Sequence, residues 1–459
     1  MDLEVFVTKG LGDASYLLAS GDEAALVDPQ RDAWRFLAVA AARGWRVTTV
    51  LETHVHNDYV SGAHEVRAAT GAELVVPARG GYAFDHRAAD EGDEFPIGDL
   101  RLVARATPGH TPEHLAWEVA GATPDAPAAV FSGGSLLVGS AGRTDLLGPE
   151  AAKELTPAQF RTLRRLASLP DATRILPTHG AGSFCAAGPT VPARTTTVGD
   201  ERLRNPLLRF VDESSFGTAL LGSVGRFPDY YRHMAPINRA GPPVLGRLPI
   251  PAALDPSAVE RAVAAGARVI DARDRRSFAA AHIPGSLNIE LSSSFAAYVG
   301  WLLEYDSPVV LVVPDRPSSA LEEAAVQLFR IGWRRIEGVL DGSIDAWARS
   351  GRALSSYGTT TMPALAAEAT SGTTARLLDV RQPIEWRDDG VIPGSETIFV
   401  ADLPGRLEEL RDAGEVTVLC RTGQRAAIAA SILDGAGISV RLVAEDGAVG
   451  WTDRFPGSS

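Results

Sequence analysis

Cysteine is scarce in this sequence, whose 459 residues include only Cys185 and Cys420. The two are far apart, so a disulfide framework is not expected and the reducing cytosol is the predicted location. A lone cysteine in such a chain is either buried filler or a nucleophile, and its sequence neighbours discriminate between the two. Cys185 has no basic residue next to it, which favours buried filler.

Long apolar runs and an excess of positive charge are also lacking. No apolar stretch approaches the length needed to cross a bilayer, and residues 1–6 show no basic and apolar segments of a secretory signal. The formal net charge is −13, which disfavours a nucleic-acid partner because a phosphate backbone requires clustered Lys and Arg. We therefore expect a cytoplasmic protein with no membrane or nucleic-acid partner, and leave a homo-oligomer open.

The chain is long enough for about three domains. Residues 1–245 hold short apolar runs, glycine-rich turns and most of the histidines. A Pro/Gly-rich stretch at 235–251 is interpreted as a linker. One pattern then occurs twice, as copy one at 246–355 and copy two at 362–459, with a Ser/Thr-rich connection at 355–361.

Two motifs identify this repeat. Asp-Ala-Arg at 271–273 recurs as Asp-Val-Arg at 379–381, and Ile-Pro-Gly-Ser at 283–286 recurs at 392–395. Strand-like and helix-like runs alternate in each copy, which predicts a small α/β domain with a mostly parallel sheet.

Histidines stand in three turn-like segments of the first domain. His54 and His56 follow an apolar run that ends at Leu51, while His110 and His179 each follow a proline-containing turn. Imidazoles at i and i+2 past a strand end can face one ion, and neutral imidazole suits zinc or iron. One such histidine would be an ordinary loop residue, whereas three similar placements favour a metal site.

The segment His-Val-His-Asn-Asp-Tyr at 54–59 resembles the His-x-His-x-Asp-His signature of the metallo-β-lactamase superfamily. Segments 107–112, 131–137 and 142–145 resemble its persulfide dioxygenase branch, and the similarity covers most of the first 200 residues. The resemblance implies an αββα sandwich with a metal at one edge. For the iron enzymes of this branch it implies oxidation of a glutathione-type persulfide to sulfite by O₂.

Two positions depart from that family. The final histidine of the signature is Tyr59, and the metal-ligating aspartate is replaced by Gly134. A two-His-one-carboxylate triad therefore lacks its carboxylate, and a two-metal hydrolase of the glyoxalase-II type would lack half of its second site. The remaining trio of His54, His56 and His110 predicts one mononuclear metal ion; the resemblance favours Fe(II), and Zn(II) is the alternative.

Other residues of this domain receive secondary assignments. Asp58 is predicted to be catalytic, either as a base or as the hydrogen-bond partner of a ligating histidine. His179 and Tyr59 are assigned as further metal ligands or as residues that support the ligands. By the resemblance, Arg143 faces the thiol substrate, and a structural ion pair is the alternative.

Cys420 lies between a strand-like run at 416–419 and a helix-like run at 426–433. Backbone N–H groups and the dipole of a helix N-terminus favour an anion there. Arg421 and Arg425 add positive charge, which favours the reactive thiolate and an anionic sulfane donor, so these three residues are predicted to be catalytic. Substrate binding is assigned to the rest of the loop, namely Thr422, Gly423 and Gln424.

This pattern resembles the active-site loop of rhodaneses, and the earlier motifs of both copies match the same family. Cys-based phosphatases place one more residue between Cys and Arg, so the four residues between Cys420 and Arg425 suit sulfur transfer. In copy one, Pro314 follows the equivalent strand-like run and there is no thiol. Copy one is therefore predicted to be inert, with a role in packing, orienting or gating.

Together these features predict an α/β protein, with an αββα sandwich followed by two small rhodanese-like domains with parallel sheets. The metal domain is expected to process a low-molecular-weight thiol persulfide, while Cys420 transfers sulfane sulfur from this chemistry or from thiosulfate through a cysteine persulfide. Two alternatives stay open. One is an impaired metal domain in a sulfur carrier or sulfurtransferase, and the other is a single-metal thioester hydrolase.

Overall fold

The structure is a computed structural model that describes residues 1–120, 129–188, 191–314, 317–370, 376–411 and 414–448. The chain divides into two compact units: Met1–Pro249 with Leu328–Gly332, and Ile250–Gln327 with Trp333–Ser459. Among the described residues, no helix is long and apolar enough to cross a membrane. The predicted division into three domains stays a prediction.

The first unit is built on two six-stranded sheets and a small three-stranded one. Its strands are β1 (Asp2–Thr8), β2 (Asp13–Ser20), β3 (Glu23–Val27), β4 (Arg46–Leu51), β5 (Glu73–Pro77), β6 (Arg87–Ala89), β7 (Glu94–Ile97), β8 (Leu100–Ala106), β9 (Leu115–Ala120), β10 (Ala129–Gly133), β11 (Leu136–Leu137), β12 (Ser140–Gly142), β13 (Arg174–Pro177), β14 (Ala186–Ala187) and β15 (Thr196–Thr197). The sheet orders are β1-β2-β3-β4-β5-β6, β15-β13-β10-β9-β8-β7 and β11-β12-β14.

Five helices cover the outer faces of the two large sheets, and a sixth lies against the loop after β4. They are α1 (Trp34–Arg43), α2 (Ala63–Thr70), α3 (Pro149–Ala167), α4 (Val198–Arg204), α5 (Glu213–Gly222) and α6 (Tyr231–Ala240), with a 3₁₀ turn at Pro206–Arg209. Phe36 of α1 packs on the first sheet and Phe216 of α5 on the second, while Tyr16 and Trp117 fill the space between the sheets. Both faces of strand β2 are covered, so it is buried along its whole length. This arrangement confirms the predicted αββα sandwich.

The interpretation of residues 235–251 as a linker is wrong for its first part, because residues 235–240 belong to α6. Pro236 lies inside this helix and removes one of its hydrogen bonds. Tertiary contacts outweigh that cost: Met234 is fully buried and Asn238 bonds to the loop after β4. Local composition cannot reveal contacts of this kind.

The second unit contains two five-stranded sheets, one from each copy. The strands of copy one are β16 (Ala253–Leu254), β17 (Arg268–Asp271), β18 (Leu287–Asn288), β19 (Val309–Val312) and β20 (Ile336–Leu340). Those of the second sheet are β21 (Gly358–Thr360), β22 (Arg376–Asp379), β23 (Glu396–Thr397), β24 (Val416–Leu419) and β25 (Val440–Val443). The orders β16-β20-β19-β17-β18 and β21-β25-β24-β22-β23 are equivalent, and the paired strands are parallel. The repeat and the parallel sheets are therefore confirmed.

The helices of this unit are α7 (Pro256–Ala264), α8 (Arg275–Ala280), α9 (Phe295–Leu302), α10 (Pro317–Arg330), α11 (Ser343–Arg349), α12 (Met362–Thr370), α13 (Pro383–Asp389) and α14 (Gln424–Gly435), with 3₁₀ turns at Leu403–Gly405 and Leu407–Leu410. The repeated Asp-x-Arg motif forms the same buried ion pair in both copies. Arg273 binds Asp271 at 2.5 Å, and Arg381 binds Asp379 at 2.7 Å. The motif therefore stabilises the strand end of each copy.

Candidate functional site

Four histidines meet at one edge of the sandwich, where the strands that precede them end. His54 and His56 follow β4, His110 follows β8 and His179 follows β13, and each is about 1% exposed. The ring centroid of His54 lies 4.3 Å from that of His56 and 5.0 Å from that of His110. Ligand atoms of His54, His110 and His179 lie within 4.8 Å of one another, as do those of His56, Asp58 and His179.

Two of these rings have one nitrogen fixed by a neighbour and the other turned towards the cluster. Thr53 donates its hydroxyl proton to Asp28 at 2.7 Å, so it accepts a hydrogen bond from Nδ1 of His54 at 2.8 Å. Nδ1 of His110 donates to the carbonyl of Arg143 at 2.7 Å. Burial lowers the pKa of both imidazoles well below the usual value, which keeps them in the neutral form that binds metals.

His56 is fixed through its other nitrogen. Its Nε2 lies 2.8 Å from Oε2 of Glu52, 3.3 Å from Oδ1 of Asp28 and 3.0 Å from the hydroxyl of Tyr59. Burial alone would lower the pKa of His56, but the two carboxylates raise it well above its usual value. Its Nδ1 is buried without a hydrogen-bond partner among the described residues. Tyr59 thus supports His56, and its own hydroxyl donates to the carbonyl of Asp28 at 3.2 Å.

A pair of buried carboxylates stands beside His179. Nδ1 of His179 lies 2.8 Å from Oδ1 of Asp13 and 3.4 Å from Oδ2 of Asp58, while its Nε2 faces Nε2 of His54 at 3.3 Å. Burial raises the pKa of Asp13 to about 7 and that of Asp58 to about 8. Within the described part of the chain, both oxygens of Asp58 and Nε2 of His110 have no hydrogen-bond partner. Asp13, which the sequence reasoning missed, shows no signal in its local sequence.

This donor set fits a divalent metal. Buried lone pairs without donors are costly, and they are normally satisfied by a hydrogen bond, a water or an ion. Three or four imidazole nitrogens with an adjacent carboxylate match the ligands of zinc and iron sites. Among the described residues, the sets whose ligand atoms lie close enough for one ion are His54, His110 and His179, then Asp28, His54 and His56, and then His56, Asp58 and His179. The predicted trio of His54, His56 and His110 is spread over these sets and stays a prediction.

The position of the missing family aspartate is filled by a histidine ring. A Cβ atom at Gly134 would overlap the ring of His110, with its Cγ at 2.8 Å and Nε2 at 2.9 Å. The Gly134 N–H donates to Nε2 of His114 at 2.9 Å, and the His114 ring stacks on His54 at 4.9 Å. The sequence reasoning also missed His114, for which the spacing of four residues from His110 was the available signal.

Helix α6 supports the histidine loop from outside. Asn238 donates to the carbonyls of His56 at 2.9 Å and Tyr59 at 2.8 Å, and accepts from the N–H of Ser61 at 2.9 Å. These contacts join segments almost two hundred residues apart in sequence, so no local pattern could reveal them. They fix the backbone on which His56 is carried.

Arg143 is engaged by the protein. Its guanidinium binds Asp145 through two hydrogen bonds of 2.6 and 2.7 Å and donates to the carbonyl of Phe184 at 3.0 Å. It is 2% exposed. These contacts match the structural ion pair given as the alternative to substrate binding. Cys185 is buried beside it, and burial raises the pKa of that thiol well above its usual value.

The second candidate centre is the loop that joins β24 to α14. The N–H of Gly423 donates to Sγ of Cys420 at 3.1 Å. Gly423 has φ +95°, a left-handed conformation that favours glycine, and it is the residue before a twelve-residue helix. Cys420 is 1% exposed, while Arg421 and Thr422 at the loop tip are exposed. The sulfur is therefore shielded from bulk water beneath a polar loop.

The two arginines of the loop differ in their surroundings. Arg425 is largely buried and forms two hydrogen bonds with Glu385, one of them 2.8 Å long. Burial opposes its charge, but Glu385 raises the pKa of Arg425 further above its usual range. Arg421 is exposed and lies 3.3 Å from Asp389. Arg425 therefore supplies a fixed positive charge near Cys420, while Arg421 lies at the surface.

Copy one also contributes side chains to this centre. Gln424 donates from Nε2 to the hydroxyl of Ser292 at 2.5 Å. Tyr298 is half-buried within electrostatic range of Arg425 and Cys420, and desolvation raises its pKa to about 12. The sequence reasoning gave copy one no residue at this site, because the contact arises between two segments that are distant in sequence.

Comparisons with known proteins identify the families of both parts of the chain. Residues 9–179 match the model of the metallo-beta-lactamase superfamily, and residues 255–350 and 362–454 match that of the rhodanese-like domain. A hydroxyacylglutathione hydrolase of Methylobacterium sp. (strain 4-46) is 32% identical over 235 residues, which cover 46% of this chain and 85% of that protein. A probable metallo-hydrolase of Burkholderia pseudomallei (strain 1710b) is 33% identical over 217 residues, covering 39% of this chain and 72% of that protein.

Among solved structures, a metallo-beta-lactamase from Staphylococcus aureus subsp. aureus COL has a TM-score of 0.66 and 27% identity, covering 74% of this chain and 98% of that one. The chain therefore belongs to the metallo-beta-lactamase superfamily and carries two rhodanese-like domains in its second half. The resemblances to the metallo-beta-lactamase superfamily and to rhodaneses are confirmed. The chain thus belongs to an enzyme family in which a metallo-hydrolase fold is joined to rhodanese domains. Its buried histidines suggest a metal ion.

Proposed function

We propose that this protein transfers sulfane sulfur through Cys420 and processes a low-molecular-weight thiol persulfide at its histidine cluster. The observation that carries the proposal is the hydrogen bond from the Gly423 N–H to Sγ of Cys420 at a helix N-terminus. A sulfur that accepts a backbone N–H there, near the charge of Arg425, is stabilised as an anion. The thiolate of Cys420, before and after the transfer, is an anion of this kind with its charge on Sγ.

The transfer needs no oxidant. The Cys420 thiolate attacks the outer sulfur of thiosulfate or of a thiol persulfide, and a new S–S bond forms at Sγ. The S–S bond of the donor breaks, and sulfite or the thiolate leaves with the electron pair. An acceptor nucleophile then takes the outer sulfur, which returns Cys420 to the thiolate.

We propose one metal ion at the first centre, held by His54, His56 and His110, with His179 and Asp58 adjacent. Iron(II) is favoured over zinc because the proposed reaction consumes O₂. When bound, iron supplies the redox chemistry by which a persulfide, O₂ and water become the thiol, sulfite and two protons.

Hydrogen bonds within the protein orient the histidine rings that would bind this ion. Glu52 holds the proton on Nε2 of His56, and Asp13 holds the proton on Nδ1 of His179. In the neutral ring of His179 the opposite nitrogen is then a lone pair that faces His54. The raised pKa of His56 means that binding of the ion displaces a proton from that ring. Asp58 offers two oxygens that can accept a proton inside the site.

Assays of two cysteine variants test the sulfur transfer. Cys420→Ser is expected to abolish thiosulfate:cyanide sulfurtransferase activity, whereas Cys185→Ser is the matched control and keeps it. Loss of activity in the control with retention in Cys420→Ser would contradict the assignment. Circular dichroism of both variants shows that the fold is retained.

A single-metal thioester hydrolase is the second candidate, favoured by the 32% identity to a hydroxyacylglutathione hydrolase. Iron-loaded and zinc-loaded Cys420→Ser protein separates the two. Oxygen uptake with glutathione persulfide supports the oxidation, and cleavage of a glutathione thioester without oxygen uptake supports hydrolysis. Purified protein that holds far less than one metal per chain after loading contradicts both, and leaves a sulfurtransferase with an impaired metal domain.

A further inference from the structure

Copy one has no thiol, yet one of its side chains holds the backbone of the Cys420 loop. Arg275, the first residue of α8, donates from Nη1 to the carbonyl of Thr422 at 2.6 Å and to that of Ala444 at 3.2 Å. The carboxylate of Glu290 accepts two hydrogen bonds from the same guanidinium, at 2.9 Å between Nε and Oε1 and at 2.6 Å between Nη2 and Oε2. Two parallel charge-assisted bonds leave the guanidinium little freedom to swing away.

The carbonyl that Arg275 holds belongs to the peptide unit whose N–H points at the sulfur. A peptide unit is planar, and in its trans form the C=O and N–H point in opposite directions. The described part of the chain contains no cis peptide. Fixing the Thr422 carbonyl on one side therefore fixes the direction of the Gly423 N–H, which donates to Sγ of Cys420 at 3.1 Å.

The residue at position 423 fits this contact. A Cβ atom there would overlap Nη1 of Arg275 and would lie 2.5 Å from the carbonyl oxygen of Ala444. Glycine thus allows both the left-handed backbone and the close approach of the guanidinium. The positive charge of Arg275 next to the Thr422 carbonyl also polarises this peptide unit. The Gly423 N–H therefore forms a stronger hydrogen bond to an anionic sulfur.

We propose that Arg275 is a positioning residue for Cys420, which keeps the Gly423 N–H aimed at the sulfur through the peptide that it holds. The copy that lacks a thiol thereby takes part in the chemistry of the other copy. The inference rests on the proposed sulfur transfer, in which Sγ is an anion before it attacks the donor and again after the outer sulfur has left. A donor fixed in advance stabilises that anion without reorganisation.

The test uses the full-length protein in a Cys185→Ser background, in which Cys420 is the only thiol. Arg275→Ala is expected to slow both the alkylation of Cys420 by iodoacetamide and the formation of its persulfide from thiosulfate about tenfold, the effect of losing an aligned hydrogen bond to a charged group. We expect the loss in kcat, with KM for thiosulfate nearly unchanged, because Arg275 acts on the sulfur through the backbone.

Arg276→Ala is the matched control. Arg276 is the next residue of α8 and pairs with Glu445 of copy two at 2.6 Å, so its loss removes a contact between the copies of a similar kind. We expect it to leave both rates unchanged. Glu290→Gln keeps Arg275 but weakens its support, and we expect an intermediate slowing; this variant also serves if Arg275→Ala does not fold.

The outcomes distinguish the role of Arg275 from the proposed sulfur transfer. Equal rates in the parent and in Arg275→Ala, or an equal slowing in Arg276→Ala, overturn the role of Arg275. A parent in which Cys420 reacts with neither iodoacetamide nor thiosulfate overturns the proposed function instead. A parent that is alkylated but takes up no sulfur leaves the positioning by Arg275 measurable through alkylation alone, and overturns only the sulfur transfer.

Discussion

The ring of His110 lies against Gly134, in the space that any side chain at position 134 would occupy. The backbone of Gly134 is not left-handed, so the absence of a side chain there follows from this contact rather than from backbone strain. The loss of the family aspartate and the placement of His110 are therefore coupled. A simple reversal of the substitution would not restore the family site.

Gly134→Asp and Gly134→Ala are expected to lower the free energy of unfolding by about 1–3 kcal/mol, the usual cost of overpacking a buried site. Both displace His110, so we expect neither to raise the metal content. Urea unfolding and element analysis measure the two effects. A Gly134→Asp variant as stable as the parent and richer in metal would show that His110 moves aside freely, contrary to the proposed coupling.

His179→Ala is expected to lower the metal affinity by at least tenfold, since loss of even a supporting residue typically costs that much. His64→Ala is the matched control, because His64 is also buried but packs against Phe84, at 4.3 Å between ring centroids. Competition with a metal-binding dye measures the affinity. Equal affinities in both variants would show that His179 does not contribute to metal binding.

Asn238→Ala should destabilise the protein by about 2 kcal/mol, because it leaves buried carbonyls of His56 and Tyr59 without donors. Asn238→Asp keeps an acceptor for the Ser61 N–H but turns a carboxylate towards the two carbonyls, so we expect at least the same loss. Metal content should fall in both variants as the loop loosens. Full metal content with a lowered unfolding midpoint would show that Asn238 stabilises the fold but does not support the metal site.

The parts of both centres that are formed by neighbouring residues could be predicted from the sequence. A pair of histidines beyond a strand and a cysteine before a helix are local patterns, and hydrophobic alternation predicts the strands and helices around them. The rest depends on which distant segments the topology brings together. Asp13 reaches His179 from another strand, Asn238 reaches the histidine loop from α6, and Arg275 reaches Thr422 from the other copy.

The same limit applies to two interpretations made from the sequence. A Pro/Gly-rich segment was expected to be a linker, but the buried Ala235 and the hydrogen-bonded Asn238 anchor its first part as a helix. For Arg143, substrate contact and a structural ion pair were both open, and its hydrogen bonds to Asp145 and to the carbonyl of Phe184 match the ion pair. Tertiary contacts, which composition does not encode, decided both cases.

The ion pair between Glu385 and Arg425 makes the stability of copy two depend on pH. Burial would raise the pKa of Glu385, but Arg425 lowers it below the ordinary 4.5. A carboxyl with a lowered folded-state pKa contributes stability above its unfolded-state value, and that contribution is lost as the pH falls through the lowered value. Glu385→Gln is therefore expected to cost about 2 kcal/mol at neutral pH, the scale of a hydrogen bond to a charged group, and little in strong acid.

Urea unfolding at the two pH values measures this difference. Glu396→Gln is the control, since Glu396 pairs with Arg376 in the same copy but is 45% exposed, where an ion pair contributes little. We expect its unfolding midpoint to follow the parent at both pH values. A loss in Glu385→Gln that is as large in acid as at neutral pH would mean that the carboxyl acts through packing and not through its charge on Arg425.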